Sequence, residues 1–509
     1  MSQIRKPLDA AVVQARRDFA EGEFDLAAKK YEQALSARPR DAALMLELAQ
    51  TYALKHRRCE ATDLLKSAVQ AAPQQPEIQG VAGQLFERMR MHDEACECFE
   101  QARRANPRSI AALNCLAQAA ERSHRLEEAR GYVDQALALN RNDPQARLTQ
   151  AILDRREGAW ERADARLRDL VARRPPSPIS WQARYQRAHV LDRMAEYDAA
   201  MQELIAAKAF LQSDGKRWRE RANVLKAKLR QTSEALIPAY TLDWQETPSP
   251  DSSRRFAVLA GHPRSGTTLL EQALDAHPDV TSAEELPLLA ELVHDPMMRQ
   301  HDPASSVPDI LDRLSPDELA GYRQTYFESI DAALPTPVGN RLLVDKNPEA
   351  LRLTPTIGRV FPEAKMIVAI RDPRDVCLSC FMQPLPLNSV SVSFLDLEST
   401  VDRYAAVMGF WHRVRKTINV GWMEVRYEDV VRDLAPQTRR VAEFLDVPWD
   451  KKMTQTKEHA KSRYVHSPSY EAVTSSVHAE SVGRWNNYAK YFGPLVERLE
   501  ALLTELKYV

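Results

Sequence analysis

The sequence predicts two successive architectures, an N-terminal α-helical solenoid and a C-terminal α/β domain built on a parallel sheet. Small and large apolar residues recur every 34 positions through the first 210 residues. From Arg254 onwards, short apolar runs alternate with helical sequence instead. The first of these runs leads into a glycine-containing loop and a helix start, which is the order of a phosphate-binding strand-loop-helix unit.

The 34-residue period is that of a helix-turn-helix repeat, and its positions follow from helix packing. One small residue per unit lets two helices approach closely, and one large residue fills the groove between neighbouring units. The small positions are Ala27, Ala61, Ala95, Ala129 and Ala163, with a second set at Ala34, Ala68, Ala102 and Ala136. The large positions are Tyr31, Leu65, Phe99, Val133 and Leu167, and prolines close units at Pro39, Pro73, Pro107 and Pro175.

This pattern resembles a tetratricopeptide-repeat (TPR) array of about six units over residues 10–212, with an insertion around residues 175–178. Such an array implies a concave surface that binds a peptide or another protein. The alternative is that it only supports the rest of the chain or makes it a homodimer. Residues 213–253 predict a capping helix, over 213–235, and then a linker rich in proline and serine, over 247–253.

Four apolar runs between 254 and 509 predict buried parallel strands, because each is followed by polar residues and then by helical sequence. Ligands of such a sheet bind at the C-terminal ends of its strands. The runs are Phe256–Ala260, Arg341–Val344, Lys365–Ile370 and Trp422–Val425.

The composition sets limits on the class of protein. The 70 Lys and Arg nearly balance the 71 Asp and Glu, so the whole chain lacks the basic character of a dedicated nucleic-acid binder. The N-terminus lacks the apolar core of a signal peptide, and no apolar run approaches the ~20 residues of a membrane span. We therefore expect a soluble cytoplasmic protein. The six cysteines include the pair Cys377 and Cys380, but no second pair completes a zinc site.

The loop after the first strand keeps the glycine spacing of a P-loop, with Gly261 and Gly266, but Thr267 stands where a nucleotide-hydrolysing P-loop has lysine. Gly266 permits a tight turn, Arg264 supplies a planar cation, and Thr267 and Thr268 place hydroxyls beside the N–H groups of a helix start. The loop is P-loop-like and suits a sulfate or phosphosulfate. The missing lysine argues against a kinase or ATPase.

Residues 254–509 resemble a sulfotransferase that uses 3′-phosphoadenosine-5′-phosphosulfate, most closely the tyrosylprotein-sulfotransferase-like branch that is often fused to TPR repeats. The resemblance implies that the donor's 5′-phosphosulfate is held by Pro263, Arg264, Ser265, Gly266, Thr267 and Thr268. The segment Ile370–Ser379 resembles the part that binds the 3′-phosphate, which implies Arg371 and Ser379 as its ligands. A surface ion pair between Arg371 and Asp372 is the structural alternative.

The resemblance also implies catalytic residues. Glu285 matches the second glutamate of the family's pair and is implied as the general base, while Lys346 matches the catalytic lysine and acts together with Arg264. A base is useful because a phenol with a pKa near 10 keeps its proton at neutral pH. A solvated helix start is the alternative for the glutamates, and a surface position is the alternative for Lys346. No acidic metal-binding constellation is apparent, so no metal is expected.

Two C-terminal segments extend the resemblance. Val425–Val430 implies Tyr427 as a residue on the nucleotide side, and 469–485 implies Ser469 and Arg484 at the 3′-phosphate end. The tyrosylprotein enzymes carry an arginine two positions after the base and another four positions after the 3′-phosphate serine. Pro287 and Gln383 stand at these places, which puts an acidic tyrosine peptide in doubt.

The leading hypothesis is therefore transfer of a sulfuryl group from the phosphosulfate donor to a hydroxyl, foremost a tyrosine of a peptide or protein, with 3′-phosphoadenosine-5′-phosphate as product. A saccharide or a small phenol is an open alternative for the acceptor. A TPR adaptor whose second domain binds nucleotide without catalysis is the alternative from a different class.

Overall fold

The computed structural model describes residues 2–55, 57–89, 91–172, 177–238, 240, 244, 254–302, 304–334, 336–461 and 480–509. Its backbone contacts divide the chain into two units, Met1–Leu170 and Val171–Val509. The domain limits expected at 212 and 253 stay predictions, and the expected linker at 247–253 lies outside the described residues.

The first unit is built from helices that pack in consecutive pairs, as the 34-residue period predicts. The small residues of the first set, from Ala27 to Ala163, are completely buried, and the large residues from Tyr31 to Leu167 are at most 4% exposed. These positions therefore form the contacts between helices. The helices are α1 (Ser2–Glu21), α2 (Phe24–Ala37), α3 (Ala42–Leu54), α4 (Arg58–Ala71), α5 (Pro76–Arg88), α6 (His92–Ala105), α7 (Ile110–Arg122), α8 (Leu126–Leu139), α9 (Pro144–Arg156) and α10 (Trp160–Ala172).

The second unit begins with a further helical pair, α11 (Pro178–Arg193) and α12 (Tyr197–Ala209), followed by α13 (Lys216–Ala235). Ser177 and Ser180 form a capping box that starts α11. Tyr185, Met201 and Leu204 of this pair belong to the same buried apolar cluster as residues of the parallel sheet. The last helical pair therefore shares a core with the α/β fold.

A five-stranded parallel sheet forms the centre of the second unit, in the order β2-β3-β1-β4-β5. The four strands expected from the sequence are present as β1, β3, β4 and β5, but β5 lies at an edge of the sheet with two exposed residues, so the expectation that it is buried was wrong. The edge strand β2 was missed because its sequence, Val-Thr-Ser-Ala-Glu, is polar at three of five positions, although all five residues are buried. The strands are β1 (Phe256–Gly261), β2 (Val280–Glu284), β3 (Leu342–Lys346), β4 (Lys365–Ile370) and β5 (Gly421–Arg426).

Helices cover the sheet and connect its strands, which gives the crossover connections that parallel strands require. The α-helices are α14 (Thr267–Asp275), α15 (Asp295–Arg299), α16 (Val307–Asp312), α17 (Pro316–Ala333), α18 (Thr354–Val360), α19 (Pro373–Phe381), α20 (Leu397–Val414), α21 (Tyr427–Arg432), α22 (Leu434–Phe444), α23 (Thr456–Lys461), α24 (Ala489–Phe492) and α25 (Glu500–Glu505). A π-helix spans Leu289–His294, and 3₁₀-helices span Pro348–Leu353, Ser391–Leu395, Lys451–Thr454, Arg484–Tyr488 and Gly493–Leu499. In the part of the chain that the structure describes, none of the helices combines the length and the apolar character that crossing a membrane requires.

Lys208 of α12 is an unusual member of the core, with only 3% of its surface exposed. Its ammonium lies 5.4 Å from the ring centroid of Tyr185 and 4.9 Å from that of Phe381 in α19. Burial lowers the pKa of Lys208 to about 7.

Candidate active site

A pocket of about 640 Å³ opens at the C-terminal edge of the sheet. This is the edge at which ligands bind in parallel α/β folds. Its wall comes from the loop after β1, the start of α14, the turn after β2, helix α19 and the start of α21. The sequence motifs on these elements, far apart along the chain, therefore face one space.

The loop after β1 turns sharply into α14 because Gly266 adopts a left-handed conformation, with φ of 97°. A Cβ atom at this position would lie 2.5 Å from Cδ2 of Tyr427, so the absence of a side chain is needed for space as well as for conformation. Pro263, Arg264, Gly266, Thr267 and Thr268 all line the pocket. Ser265 is expected to face the same anion but does not line the pocket and is 1% exposed.

Arg264 is held in the loop with a positive φ of 73°, which is rare for a residue with a side chain. Its Nε donates a hydrogen bond of 3.0 Å to Oγ of Ser379 on α19. Burial lowers the pKa of the Arg264 guanidinium, which still remains charged at neutral pH. The structure thus brings together the residues that the sequence assigns to the 5′ and the 3′ ends of the donor.

Arg371 follows β4 and is 6% exposed, so it is not a surface residue. Its Nη1 donates to the carbonyl of Arg264 at 3.2 Å, and its Nη2 donates to the carbonyl of Ser481 at 2.5 Å. The guanidinium lies 4.6 Å from the ring centroid of Tyr427. Its nearest carboxylate in the described chain is that of Asp375 at 4.0 Å, while Asp372 pairs with Arg374 instead.

Glu285 and Lys346 form the second part of the site. Nζ of Lys346 donates to Oε1 of Glu285 at 2.7 Å and lies 3.9 Å from Oε1 of Glu284. Lys346 is fully buried at the end of β3, whereas a quarter of the Glu285 side chain is exposed and lines the pocket. The alternatives of a surface lysine and of a solvated helix start are therefore wrong, since Glu284 ends β2 and Glu285 stands in a turn with φ of 48°.

The charge on Lys346 is stable despite its burial. Burial alone would lower the pKa of this lysine, but the charges of Glu285, Glu271 and Glu284 outweigh it and raise the pKa above its ordinary value. The pair therefore presents a carboxylate to the pocket and holds a permanent cation immediately behind it.

Arg484 reaches the pocket from a segment near the C-terminus. It begins a 3₁₀-helix directly after Gly483, which has φ of 70°. The backbone N–H groups of Gly483 and Trp485 donate to the two carboxylate oxygens of Asp375 at 2.6 and 2.8 Å. The sequence reasoning missed Asp375, although its place four residues after Arg371 was a usable signal. Ser469 lies outside the described residues.

The remaining wall of the pocket includes Pro287 and Gln383, the two departures from the family pattern. Glu291 and Asp295 line it from the π-helix and the start of α15, and Arg352 lines it from the 3₁₀-helix after β3. π-helical turns occur frequently at functional sites. Within the described residues, no three His, Cys, Asp or Glu side chains are grouped so as to hold a metal ion.

Comparison with known proteins identifies both parts of the chain. Residues 257–451 match the model of the sulfotransferase family, and residues 18–85 and 81–146 match two tetratricopeptide-repeat models. The chain carries a sulfotransferase domain preceded by TPR repeats. An uncharacterized protein of Aquifex aeolicus is 25% identical over 418 residues, which are 80% of this chain and 52% of that protein.

Protein-tyrosine sulfotransferase A of Caenorhabditis elegans is 27% identical over 202 residues, which are 39% of this chain and 51% of that protein. The chain thus spans about half the length of these curated relatives. Among solved structures, the sulfotransferase domain of the Synechococcus PCC 7002 olefin synthase is 21% identical with a TM-score of 0.30, covering 48% of this chain and 98% of that chain.

Proposed function

We propose that this sulfotransferase moves a sulfuryl group from 3′-phosphoadenosine-5′-phosphosulfate to an acceptor hydroxyl, foremost that of a tyrosine in a peptide or protein. One observation carries the proposal. The carboxylate of Glu285, with Lys346 behind it, opens into the same pocket as the cationic cluster of Arg264 and Arg371. An anionic donor and a neutral hydroxyl need these two environments side by side.

The residues present fit the donor. Arg371 Nε is a buried polar atom with no hydrogen-bond partner in the described chain, and Arg371 lines the pocket on the segment assigned to the 3′-phosphate. Buried polar groups normally have partners, so a ligand oxygen would supply what is missing. The backbone can also approach an anion closely at this site, along the loop residues Pro263, Gly266, Thr267 and Thr268 and at the N-terminus of α14. We assign Ser379, Tyr427 and Arg484 to the nucleotide end.

Each catalytic residue then has a defined task. The donor supplies a sulfuryl group bonded to its 5′-phosphate. Glu285 accepts the proton as the acceptor O–H bond breaks, the acceptor oxygen bonds to sulfur, and the bond from sulfur to the phosphate oxygen breaks. Arg264 and Lys346 stabilise the negative charge that develops on that leaving oxygen, which is the main catalytic need in such in-line group transfers.

The acceptor is proposed as a tyrosine because similar proteins bear the name protein-tyrosine sulfotransferase. Apolar residues such as Leu385 and Val390 in the pocket wall suit an aromatic ring. Pro287 in place of an arginine, together with Glu291 and Asp295 in the same wall, does not favour an acidic peptide. A saccharide or a small phenol remains the alternative acceptor, and an adaptor that binds the nucleotide without turnover is the alternative function.

The remaining parts of the proposal concern the context of the reaction. We propose a TPR array over residues 10–212 that docks the peptide or protein acceptor, a capping helix and linker over 213–253, and a cytoplasmic sulfotransferase domain over 254–509. No nucleic acid, membrane or metal takes part in this scheme. Self-association into a homodimer through the array is the alternative use of the TPR surface.

Mass spectrometry of a mixed acceptor panel tests the proposal. Purified protein is incubated with the phosphosulfate donor and with tyrosine peptides flanked by acidic, neutral or basic residues, together with phenols and glycans. We expect a gain of ~80 Da, one sulfuryl group, on a tyrosine peptide, and its loss in Glu285→Ala. A gain confined to glycans or phenols would replace the acceptor. Binding of 3′-phosphoadenosine-5′-phosphate without any gain would support the adaptor.

A further inference from the structure

The segment that carries Arg484 into the pocket is fixed by an aspartate of the last TPR-like helical pair. Oδ2 of Asp192, near the end of α11, accepts from Arg484 Nη2 at 2.6 Å, and Oδ1 accepts from Arg484 Nε at 3.3 Å. Oδ1 also accepts the hydroxyl hydrogen bond of Tyr488 at 2.6 Å. Asp192 thus accepts hydrogen bonds from the first and last residues of the 3₁₀-helix Arg484–Tyr488.

This contact is built into the core. The Asp192 side chain is only 9% exposed, and Tyr488 is completely buried with its ring 5.4 Å from that of Tyr197 on α12. A buried carboxylate that accepts two guanidinium hydrogen bonds and one hydroxyl hydrogen bond fixes the geometry of all its partners. Asp198, at the start of α12, makes a contrasting exposed contact with Lys490 and Tyr491.

The orientation of Arg484 follows from its hydrogen bonds to Asp192. A guanidinium has five N–H donors in a rigid plane, and Asp192 engages donors on Nε and Nη2 only. The opposite edge, with Nη1, is the part left for the pocket that Arg484 lines. On the other side of the same segment, Arg371 donates to the carbonyl of Ser481, so the two arginines assigned to the 3′-phosphate end of the donor contact or belong to one short stretch of chain.

We propose that Asp192 is a positioning residue for donor binding, which makes the final helical pair a functional part of the sulfotransferase site. The inference rests on the proposed function, since it takes Arg484 as a ligand of the donor's nucleotide end. Without Asp192, Arg484 must order its side chain when the ligand arrives, and that ordering weakens affinity.

Titration of 3′-phosphoadenosine-5′-phosphate by calorimetry tests the proposal in the full chain. Asp192→Asn keeps the shape of the side chain but loses its charge, and we expect an affinity about tenfold weaker, the usual scale of coupling within one hydrogen-bond network. Asp198→Asn is the matched control, because it alters the same helical pair and the same C-terminal segment without touching Arg484. Its affinity is expected to equal that of the wild type.

A double-mutant cycle separates positioning from general damage. Adding Asp192→Asn to Arg484→Ala should weaken binding no further, because the aspartate acts only through the arginine. A wild-type affinity in Asp192→Asn, or the same tenfold loss in both backgrounds, would overturn the inference. A wild-type protein that fails to bind the nucleotide would overturn the proposed function itself, which is a different result. Melting temperatures of all four proteins show whether each variant is folded.

Discussion

Replacing Glu285 by glutamine separates catalysis from stability at this site. The change removes the negative charge that faces the pocket, while the side chain keeps its size and its ability to accept a hydrogen bond. Lys346 loses a charged partner at 2.7 Å but keeps Glu284 at 3.9 Å and the nearby charge of Glu271. The buried ammonium is therefore never left without a counter-charge.

This geometry sets the expected loss of folding stability and the expected loss of turnover in Glu285→Gln. A buried charge with no partner costs about 3–5 kcal/mol of folding stability, whereas a charge that keeps other carboxylates should lose only about 1–2 kcal/mol. A missing general base lowers the rate by about 10²- to 10⁴-fold. We therefore expect Glu285→Gln to melt within a few degrees of the wild type, to bind 3′-phosphoadenosine-5′-phosphate normally, and to lose at least about 99% of its turnover.

Steady-state kinetics on the best acceptor, nucleotide calorimetry and thermal melting together check this expectation. Glu284→Gln is the matched control, since it makes the same chemical change on the adjacent residue, which does not line the pocket. It should keep turnover within a few-fold of the wild type. Turnover in Glu285→Gln that stays within about fivefold of the wild type would refute the assignment of the base, because general-base catalysis contributes far more than that.

Three further predictions follow from individual contacts. Arg371→Ala should weaken binding of 3′-phosphoadenosine-5′-phosphate by about 10- to 100-fold in calorimetry, because a charge-assisted hydrogen bond to phosphate is lost, and equal affinity would remove the assignment. Gly266→Ala places a Cβ 2.5 Å from the Tyr427 ring at a positive φ and should abolish nucleotide binding, whereas Gly321→Ala, with no atom within 4 Å of the added Cβ, should not. Lys208→Met should raise the free energy of unfolding, measured by denaturant titration, by up to about 5 kcal/mol, and the gain should be largest below pH 7. The reason is that the lysine stays protonated to about pH 10 in the unfolded chain, whereas in the folded protein its pKa is about 7, so holding the buried charge below pH 7 costs folding stability. The gain should shrink between pH 7 and pH 10, and an equal gain at pH 6.5 and pH 10 would show that the buried charge is not its cause.

The sequence predicts the three central strands well because β1, β3 and β4 are apolar runs buried on both faces, such as Lys365–Ile370, whose bounds match β4, whereas β5 is an edge strand with two exposed residues. It fails at β2, where the burial of Thr281 and Ser282 comes from the fold rather than from their polarity. The residues on the loop after β1 and on α19 were foreseeable as neighbours, because both elements follow strands that pair in the sheet.

Other features of the site depend on contacts that no local pattern encodes. The burial of Lys346 is one such feature, because its partner Glu285 lies 61 positions earlier in the sequence. The ion pair between Asp192 and Arg484 is another, since 292 residues separate the two. Short motifs indicate which side chains carry the chemistry, but only the packed chain shows which neighbour holds each of them.

The most direct test of the proposed reaction is to quantify 3′-phosphoadenosine-5′-phosphate formed from the donor with and without the best acceptor. We predict one molecule of this product for each sulfated acceptor, and almost none when the acceptor is omitted, because no bound acceptor hydroxyl is then positioned beside Glu285 to attack the sulfur. Formation of the product at the same rate without acceptor, accompanied by free sulfate, would contradict sulfuryl transfer and indicate a hydrolase.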